Sequence, residues 1–272
     1  MCYFFIVSSC CMKNLLLDNV FFNSPVFYTG ETPSTMDLAR ELSLSGSPSG
    51  TVVAAGYQSM GRGRGRGRKW EAPPGSSLLF TLFIETSSLG IPVHHAPVAA
   101  GLGMCRYLKS KWGFDPCLKW PNDILVGGRK ICGILCESTQ SRLYVGVGLN
   151  CNQADRNEFP DLNIKATSVR LEAGLDSAVD PLSMLSGLLS CIREVLLPAG
   201  GAGDLIGEAD ALLYRRGETV FYREGAVENG TVSEAVILGI SKESGLRLMG
   251  TDGKEFVSVT GEILYPGYSK GL

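Results

Sequence analysis

Apolar and polar positions along the chain form a pattern that predicts strands interleaved with helices over the first three-quarters and strands alone at the end. The runs 51–57 and 77–84 are apolar and of strand length. In 97–112 and 182–196, apolar residues instead recur at spacings of three and four, which is the period of one helix face. The order of these runs predicts an α+β fold with a mixed sheet flanked by helices.

Short local signals mark the ends of several elements. Ser34 and Asp37 form the Ser-x-x-Asp pattern of a capping box, which predicts a helix start. Gly127-Gly128 lies between two apolar runs and predicts a tight hairpin, because glycine accepts the positive φ that such a turn needs. Towards the end of the chain, glycine-containing turn pairs separate short apolar runs, which is typical of a small β-barrel. We therefore expect three regions: a leader over 1–23 that need not be ordered, an α+β domain over 24–215 and a β-barrel over 216–272.

The composition narrows the class of protein. With 272 residues, of which 44% are hydrophobic and 19% charged, the chain can bury a large core, and a disordered, collagenous or coiled-coil protein is excluded. Nine cysteines without a Cys-x-x-Cys pair indicate reduced intracellular thiols. No stretch reaches the roughly 18 apolar residues that cross a bilayer, so we expect a cytoplasmic protein without membrane contact. No Lys or Arg precedes the apolar run at the start, which disfavours an export signal and makes Met12 a candidate initiator beside Met1.

The formal net charge of −2 is unevenly distributed. Residues 61–70 read GRGRGRGRKW and carry five cations and no acid, so the rest of the chain has a net charge of −7. Glycine lets the backbone fold closely around a ligand, and each guanidinium offers paired donors to phosphate or carboxylate. The segment therefore predicts a binding loop for a small anion. An RNA-binding Gly-Arg segment is the alternative from another class of protein.

Two further segments carry polar groups next to strands. The sequence KWPND at 119–123 contains a proline that interrupts strand pairing, so its last two residues are expected to project from a turn towards a ligand. Asp123 is a candidate Mg²⁺ ligand and Lys119 a candidate phosphate partner. Lys130 opens an apolar strand, where an isolated lysine is either a rim charge or the partner of a buried carboxylate. Gly133 in that strand allows a close approach to the backbone.

Five blocks follow one another along the chain: Ser34-Thr35, Tyr57-Gln58 leading into GRGRGRGRKW, KWPND, Lys130-x-x-Gly133-Ile134-Leu135 with Glu137, and Gly146-Val147-Gly148-Leu149-Asn150. In this order they closely resemble the biotin protein ligases. The resemblance extends over about 25–169, and more loosely over the C-terminal region. It implies a catalytic domain of the class II synthetase and biotin ligase type, followed by a small SH3-like β-barrel.

The resemblance also implies a reaction. Biotin and ATP would form biotinyl-5′-AMP and pyrophosphate, and biotin would then pass to one lysine of a biotin carboxyl carrier protein domain, with Mg²⁺ as the metal ion. Biotin is expected to contact Ser34, Thr35, Gln58, Gly61, Arg62, Gly63, Arg64, Lys130 and Gly133. The nucleotide is expected to contact Arg62, Arg64, Arg66, Arg68, Trp70, Asn122 and Asn150. Catalytic roles are expected for Arg64, Lys119, Asp123 and Lys130, with Asp123 also the expected Mg²⁺ ligand and either the base or the orienting group for the acceptor amine.

The sequence departs from the family pattern in two places. Its loop is one residue longer than the common GRGRRGRKW, so the arginine that retains the adenylate aligns with Arg64 from the left and with Arg66 from the right; we predict Arg64. Only 33 residues precede Ser34, too few for the winged helix-turn-helix of bifunctional members, so no DNA binding is expected. Family members occur as monomers and as dimers, so a homodimer is compatible with the resemblance. A lipoate ligase of the same fold is the nearest alternative, and the loop together with KWPND favours biotin.

Overall fold

The computed structural model describes residues 12–65, 67–159, 165–201, 203–225 and 230–264. Eight strands form the first sheet: β1 Lys13–Leu15, β2 Val26–Thr29, β3 Val52–Ala55, β4 Ser77–Glu85, β5 Pro116–Lys119, β6 Asp123–Val126, β7 Arg129–Ser138 and β8 Arg142–Asn150. Across the sheet they stand in the order β1-β2-β3-β4-β8-β7-β6-β5. Of these neighbouring pairs, β2 and β3 run parallel and the others antiparallel.

Five more strands form a second, antiparallel sheet in the order β12-β11-β10-β9-β13: β9 Thr219–Glu224, β10 Val232–Ile240, β11 Leu246–Gly250, β12 Glu255–Ser258 and β13 Gly261–Ile263. The α-helices are α1 Thr35–Leu44, α2 Ala96–Trp112, α3 Val169–Ala173, α4 Leu185–Leu196 and α5 Leu205–Ala211. None of the helices in the described ranges is long and apolar enough to cross a membrane. A mixed sheet flanked by helices confirms the predicted α+β fold, and the second sheet is compatible with the predicted small barrel.

Side chains alternate across the first sheet, which gives it two apolar faces. Val52 and Ala54 of β3 belong to the main core, which they share with α2 and α4. Val53 points the other way and packs in a smaller cluster with Met36 of α1 and Tyr144 of β8. Helices α2 and α4 therefore cover one face of the sheet, and the shorter α1 covers part of the other.

The hairpin of β6 and β7 carries several of the predicted polar residues. Gly127 and Gly128 join the two strands with φ values of 56° and 73°, which confirms the predicted turn. The pairing then shifts register, because Ile124 faces Cys132 but its neighbour Leu125 faces Lys130. Such a bulge twists and bends the strand that carries it. The first residues of β7, where Lys130 lies, are therefore directed differently from the rest of the strand.

Residues 12–23, the described part of the leader predicted over 1–23, are in contact with the first sheet and the main core. Strand β1 pairs with β2 at the edge of the first sheet. The buried amide of Asn19 donates to two backbone carbonyls, and Phe21 is fully buried in the main core. An apolar anchor and a satisfied polar group thus hold residues 12–23 in the fold. Residues 1–11 lie outside the described residues.

Two helix starts differ in whether a side chain caps them. Asp180 caps the turn that leads into α4, because its side chain accepts a hydrogen bond from the backbone N–H of Leu182. Ser34 precedes α1 as predicted, but its side chain makes no capping hydrogen bond. The carboxylate of Asp37 instead accepts a hydrogen bond from Arg62 at 2.8 Å. The predicted capping box is therefore wrong, because a charged partner from a distant segment engages its acid.

Candidate functional site

A cavity of about 880 Å³ opens on the α1 side of the first sheet, and residues 62–64 and 67–70 and the second sheet contribute to its walls. It brings together most of the residues that the sequence nominated: Ser34, Thr35, Gln58, Arg62, Gly63, Arg64, Arg68, Trp70, Lys119, Asn122, Asp123, Lys130, Gly133 and Asn150. Gly61 is buried beside the cavity and does not line it. Arg66 lies outside the described residues.

Residues 61–63 and 68–70 run antiparallel to each other, and the described residues 61–65 and 67–70 are here called the Gly-Arg hairpin. The carbonyl of Gly61 accepts from the N–H of Trp70 at 3.0 Å, and the N–H of Gly63 donates to the carbonyl of Arg68 at 2.9 Å. A Cβ on Gly61 would lie 2.4 Å from the carbonyl oxygen of Trp70. Glycine is thus required at the base of the hairpin by a close backbone approach. The contact of Gly61 with biotin stays a prediction.

The indole of Trp70 covers bare backbone at the centre of the cavity floor. Gly133 of β7 and Gly148 of β8 are paired across the sheet. A Cβ on either would lie within 3 Å of the indole, at 2.9 Å for Gly133 and 2.6 Å for Gly148. The ammonium of Lys130 lies 5.7 Å from the ring centroid. The indole Nε1 is buried and has no hydrogen-bond partner among the described residues, so this side chain offers an unused donor inside the cavity.

Three charged side chains meet at one corner of the floor, here called the sheet corner (Lys119, Asp123 and Lys130). Lys119 and Asp123 are paired residues at the ends of β5 and β6. The carboxylate of Asp123 lies 2.6 Å from the ammonium of Lys130 and 3.9 Å from that of Lys119. Burial lowers the pKa of Lys119 to about 8, against the opposing effect of Asp123. Lys130 is thus the partner of a buried carboxylate, which decides between the two roles that its position allowed.

The sheet corner does not fit the predicted Mg²⁺ site. Both oxygens of Asp123 face ammonium groups, so a divalent cation there would meet two positive charges. Within the described ranges, no group of three or more His, Cys, Asp or Glu residues could hold a metal ion. In this geometry the carboxylate of Asp123 holds two lysines, and its role as a metal ligand stays a prediction.

Polar groups at the start of α1 form a second, uncharged corner. The side-chain oxygen of Gln58 accepts from both the backbone N–H and the hydroxyl of Thr35, at 2.7 and 2.9 Å. Because the Thr35 hydroxyl donates to Gln58, it accepts from the hydroxyl of Thr81, 2.9 Å away. The Gln58 oxygen is thereby occupied, and its amide orientation is fixed. This corner suits a neutral polar group more than a charged one.

Backbone segments hold the polar residues of the floor in position. The chain at 165–167 pairs with the backbone of Lys130. The Lys130 N–H donates to the carbonyl of Lys165, and the Lys130 carbonyl accepts from the N–H of Thr167, each at 2.9 Å. Asn150 donates its amide to the carbonyl of Thr167 at 3.0 Å, and Asn122 donates to the carbonyl of Ile134 at 2.9 Å. The two asparagines predicted to meet the nucleotide therefore use their amide nitrogens on the protein itself.

The second sheet contributes charged and backbone groups to the same cavity. Arg64 donates to the carbonyl of Gly261 at 2.8 Å, and its guanidinium lies 5.9 Å from the ring of Trp120. Burial lowers the pKa of Arg64. The carboxylate of Glu262 forms two hydrogen bonds or ion pairs with Arg68, at 2.7 and 2.6 Å, and one with Arg223 at 2.8 Å. The Gly-Arg hairpin is thus in contact with the C-terminal sheet.

The cavity wall is strongly cationic. Its cations are Arg62, Arg64, Arg68, Lys69, Lys119, Lys130 and Arg223, and its acids are Glu71, Asp123 and Glu262. Such an excess in a recessed site attracts anions and strengthens their binding. Beside it, Trp70 and the glycine backbone provide a flat, uncharged surface. The site therefore suits a ligand with one anionic end and one neutral, largely apolar end.

Comparison with known proteins identifies the family. The profile of the biotin/lipoate A/B protein ligase family matches residues 29–153. The biotin--[acetyl-CoA-carboxylase] ligase of Paracoccus denitrificans is 30% identical to this chain over 240 residues, which cover 84% of this chain and 96% of that protein. The chain belongs to the biotin protein ligase family.

Another relative matches this chain over a shorter part of its own length. The bifunctional ligase/repressor BirA of Bacillus subtilis is 32% identical over 178 residues, which cover 62% of this chain and 53% of that protein. The chain thus spans about half the length of this relative.

The biotin protein ligase from Aquifex aeolicus, solved in complex with biotin and ATP, shares the fold with a TM-score of 0.71 and 24% identity, over 88% of this chain and 98% of that one.

Several residues of this cavity were missed by sequence reasoning. Thr81, Arg223 and Glu262 all line it, yet none belongs to a recognisable motif. Thr81 reads as an ordinary polar position within an apolar strand. Arg223 and Glu262 come from the C-terminal sheet, and no local pattern connects them with the Gly-Arg hairpin. Arg223 and Glu262 face each other across β9 and β13. Their opposite charges would have indicated a contact only if the pairing of these two strands had been known.

Proposed function

We propose that this protein activates biotin with ATP and transfers the biotinyl group to a lysine of a biotin carboxyl carrier protein domain. The observation that carries the proposal is that one cavity combines a cationic wall with an uncharged surface formed by Trp70 and the glycine backbone beside it. Biotin has a neutral bicyclic head and a carboxylate tail, and ATP adds a polyphosphate. A ligand pair of this kind matches this combination, and family membership supports it.

In the first half-reaction, a biotin carboxylate oxygen attacks the α-phosphorus of ATP and pyrophosphate leaves. Two anions must approach each other, so the cations have to stabilise charge that moves onto the leaving group. Lys119, Lys130 and Arg64 are the side chains we assign to this task. Both lysines are held by Asp123, so little reorganisation is needed when the reaction occurs.

The biotin head belongs, in this proposal, over Trp70 with its polar atoms at the uncharged corner. Ser34, Thr35 and Gln58 would supply hydrogen-bond partners there, and the aliphatic body would lie against the indole, which itself packs on the backbone at Gly133. The Gly-Arg hairpin would then close over the carboxylate with Arg62 and Gly63. The proposed nucleotide-binding residues are Arg68, Trp70, Asn122 and Asn150, together with Arg66, which lies outside the described residues. Arg64 is the proposed arginine that retains the adenylate.

In the second half-reaction, the acceptor amine attacks the acyl carbon of biotinyl-5′-AMP and AMP leaves, with one proton lost from the amine. Asp123 is a poor base for this proton while two lysines neutralise it. We therefore assign Asp123 to orienting the amine and the lysines. An activated acyl group and a positioned amine supply much of the rate.

Magnesium enters the proposal as the ion that accompanies ATP, where it neutralises phosphate oxygens. The cationic wall suits the phosphates better than a free divalent ion. The absence of DNA binding, a cytoplasmic location and the oligomeric state stay predictions.

The test is incubation of the protein with ATP, Mg²⁺ and radiolabelled biotin or lipoate, followed by addition of a biotin carboxyl carrier domain. We expect a labelled adenylate with biotin, little with lipoate, and transfer of label to the carrier lysine. Adenylate from lipoate alone would reassign the substrate, and no adenylate from either would refute the proposal.

A further inference from the structure

The carboxylate of Glu262 lies between two arginines of the cationic wall. It contacts Arg68 through both oxygens and Arg223 through one of them. The side chains of Glu262 and Arg223 are each 14% exposed, so the ion pair is partly withdrawn from water. Water therefore screens this contact less than an ion pair at the open surface.

The surroundings of Glu262 would suit a phosphate at least as well as a carboxylate. Burial alone would raise the pKa of Glu262, but Arg68, Lys119 and Arg223 lower it, so the group is an anion at neutral pH. Planar guanidinium groups bind carboxylates and phosphates with the same forked geometry. An oxyanion of a ligand could therefore take the place of Glu262 on the same donors.

We propose that Glu262 is an internal competitor of the nucleotide polyphosphate, bound to Arg68 and Arg223 until a polyphosphate displaces it. The identity of the natural ligand, the polyphosphate of ATP, rests on the proposed function. The exchange of Glu262 for a phosphate on the two arginines rests only on the contacts described above. Arg223, a residue of the C-terminal sheet, becomes part of the polyphosphate subsite. The exchange also ties nucleotide binding to the contact between the Gly-Arg hairpin and that sheet.

A competitor has a different signature from a residue that merely orients the arginines. If Glu262 competes, removal of its charge strengthens polyphosphate binding, because no internal anion has to leave. If Glu262 orients Arg68 and Arg223 for the ligand, removal of its charge weakens binding. The sign of the effect therefore separates the two roles.

The experiment is calorimetric titration of the full chain with inorganic pyrophosphate, without biotin. Glu262→Gln keeps the shape of the side chain and removes its charge. We expect Glu262→Gln to bind pyrophosphate roughly three- to tenfold more tightly than the unaltered protein, the size of effect that follows from one charge-assisted contact. Glu255→Gln is the matched control, because Glu255 pairs with Arg247 at 2.8 Å in the same sheet and does not line the cavity. This control should leave the affinity unchanged.

A second pair of variants keeps the proposal falsifiable if Glu262→Gln alters folding. Arg223→Gln should weaken pyrophosphate binding, and the gain from Glu262→Gln should shrink when Arg223→Gln is already present. Equal affinities in all variants, no binding of pyrophosphate by any of them, or weaker binding by Glu262→Gln would overturn the proposal. Because the titration uses no biotin, failure to form an adenylate would refute the proposed function and leave this result standing.

Discussion

Two sets of charges surround the cavity, and they are held in different ways. The sheet corner lies at strand ends, where the side chains of Lys119 and Asp123 are 5% and 10% exposed. On the Gly-Arg hairpin, the side chains of Arg62 and Arg68 are 41% and 43% exposed and pair with carboxylates from other elements. Both sets are cationic, but only one is fixed by the pairing of the first sheet.

This difference bears on what each set can do. Charges in a buried corner interact strongly and are little affected by salt, but their burial costs free energy and shifts their pKa values. Arginines on a short hairpin are more exposed and more screened, and an exposed ion pair such as Arg62–Asp37 contributes about 0–1 kcal/mol. We infer that the sheet corner supplies preorganised catalysis, and that the Gly-Arg hairpin supplies contacts that form and break with the ligand.

Removal of a buried charge should have the largest effect. Lys119→Met is expected to slow adenylate formation by about 10²–10³-fold, the typical loss when one preorganised electrostatic group is removed from an active site. Single-turnover formation of biotinyl-5′-AMP measures it. Lys109→Met is the control, because Lys109 lies exposed in the last turn of α2. A Lys119→Met rate within threefold of the control would show that the sheet corner is not the catalytic set.

Trp70 belongs to the Gly-Arg hairpin and its ring lies 5.7 Å from the ammonium of Lys130 in the sheet corner, so it connects the two sets. One added methyl group at Gly148 tests this connection. Gly148→Ala puts a Cβ 2.6 Å from the indole, so the ring must move away from the floor. Overpacking of this kind costs about 1–3 kcal/mol, which predicts a loss of biotin affinity of about five- to 150-fold. Equilibrium binding of biotin measures it, with tryptophan fluorescence as a report on the ring.

Gly200→Ala is the control for this substitution, since no atom lies within 4 Å of the Cβ it would add. Unchanged biotin affinity in Gly148→Ala would mean that the floor and the Gly-Arg hairpin act independently.

The sequence was informative about the sheet corner and less so about its partners. KWPND and the lysine that opens β7 are local patterns, and strand pairing brings them together because β5, β6 and β7 are neighbours in both sequence and space. The contact of the Gly-Arg hairpin with Glu262 spans 194 residues of chain and has no local pattern. Asn19 was missed for a similar reason, because its role depends on carbonyls that only the folded chain brings near.

A change of pH should distinguish the two sets by a smaller but directional effect. Lys119, with a pKa of about 8, loses its proton above that pH, while arginines keep theirs. We expect kcat/KM for adenylation to fall as pH rises through about 8, and Lys119→Arg to remove that break if it remains active. A break that persists in Lys119→Arg would assign it to another group.

Stability should change in the opposite sense over that alkaline range. Between the folded pKa of about 8 and the ordinary value of 10.5, the unfolded chain holds the Lys119 proton and the folded chain does not. The contribution of Lys119 to the free energy of unfolding therefore rises with pH in this window and is flat below it. Urea unfolding of the unaltered protein and of Lys119→Met across the window measures the difference.

The smallest effect is expected at the exposed ion pair between Arg62 and Asp37. Their side chains are 41% and 49% exposed and the charged atoms lie 2.8 Å apart. Asp37→Asn should change the free energy of unfolding by no more than about 0.5 kcal/mol, and added salt should abolish the difference because it screens surface pairs. Chemical denaturation at low and high salt measures both. A loss above about 1 kcal/mol that survives high salt would place Arg62 with the buried charges, and the distinction between a preorganised sheet corner and a ligand-responsive hairpin would fail at this residue.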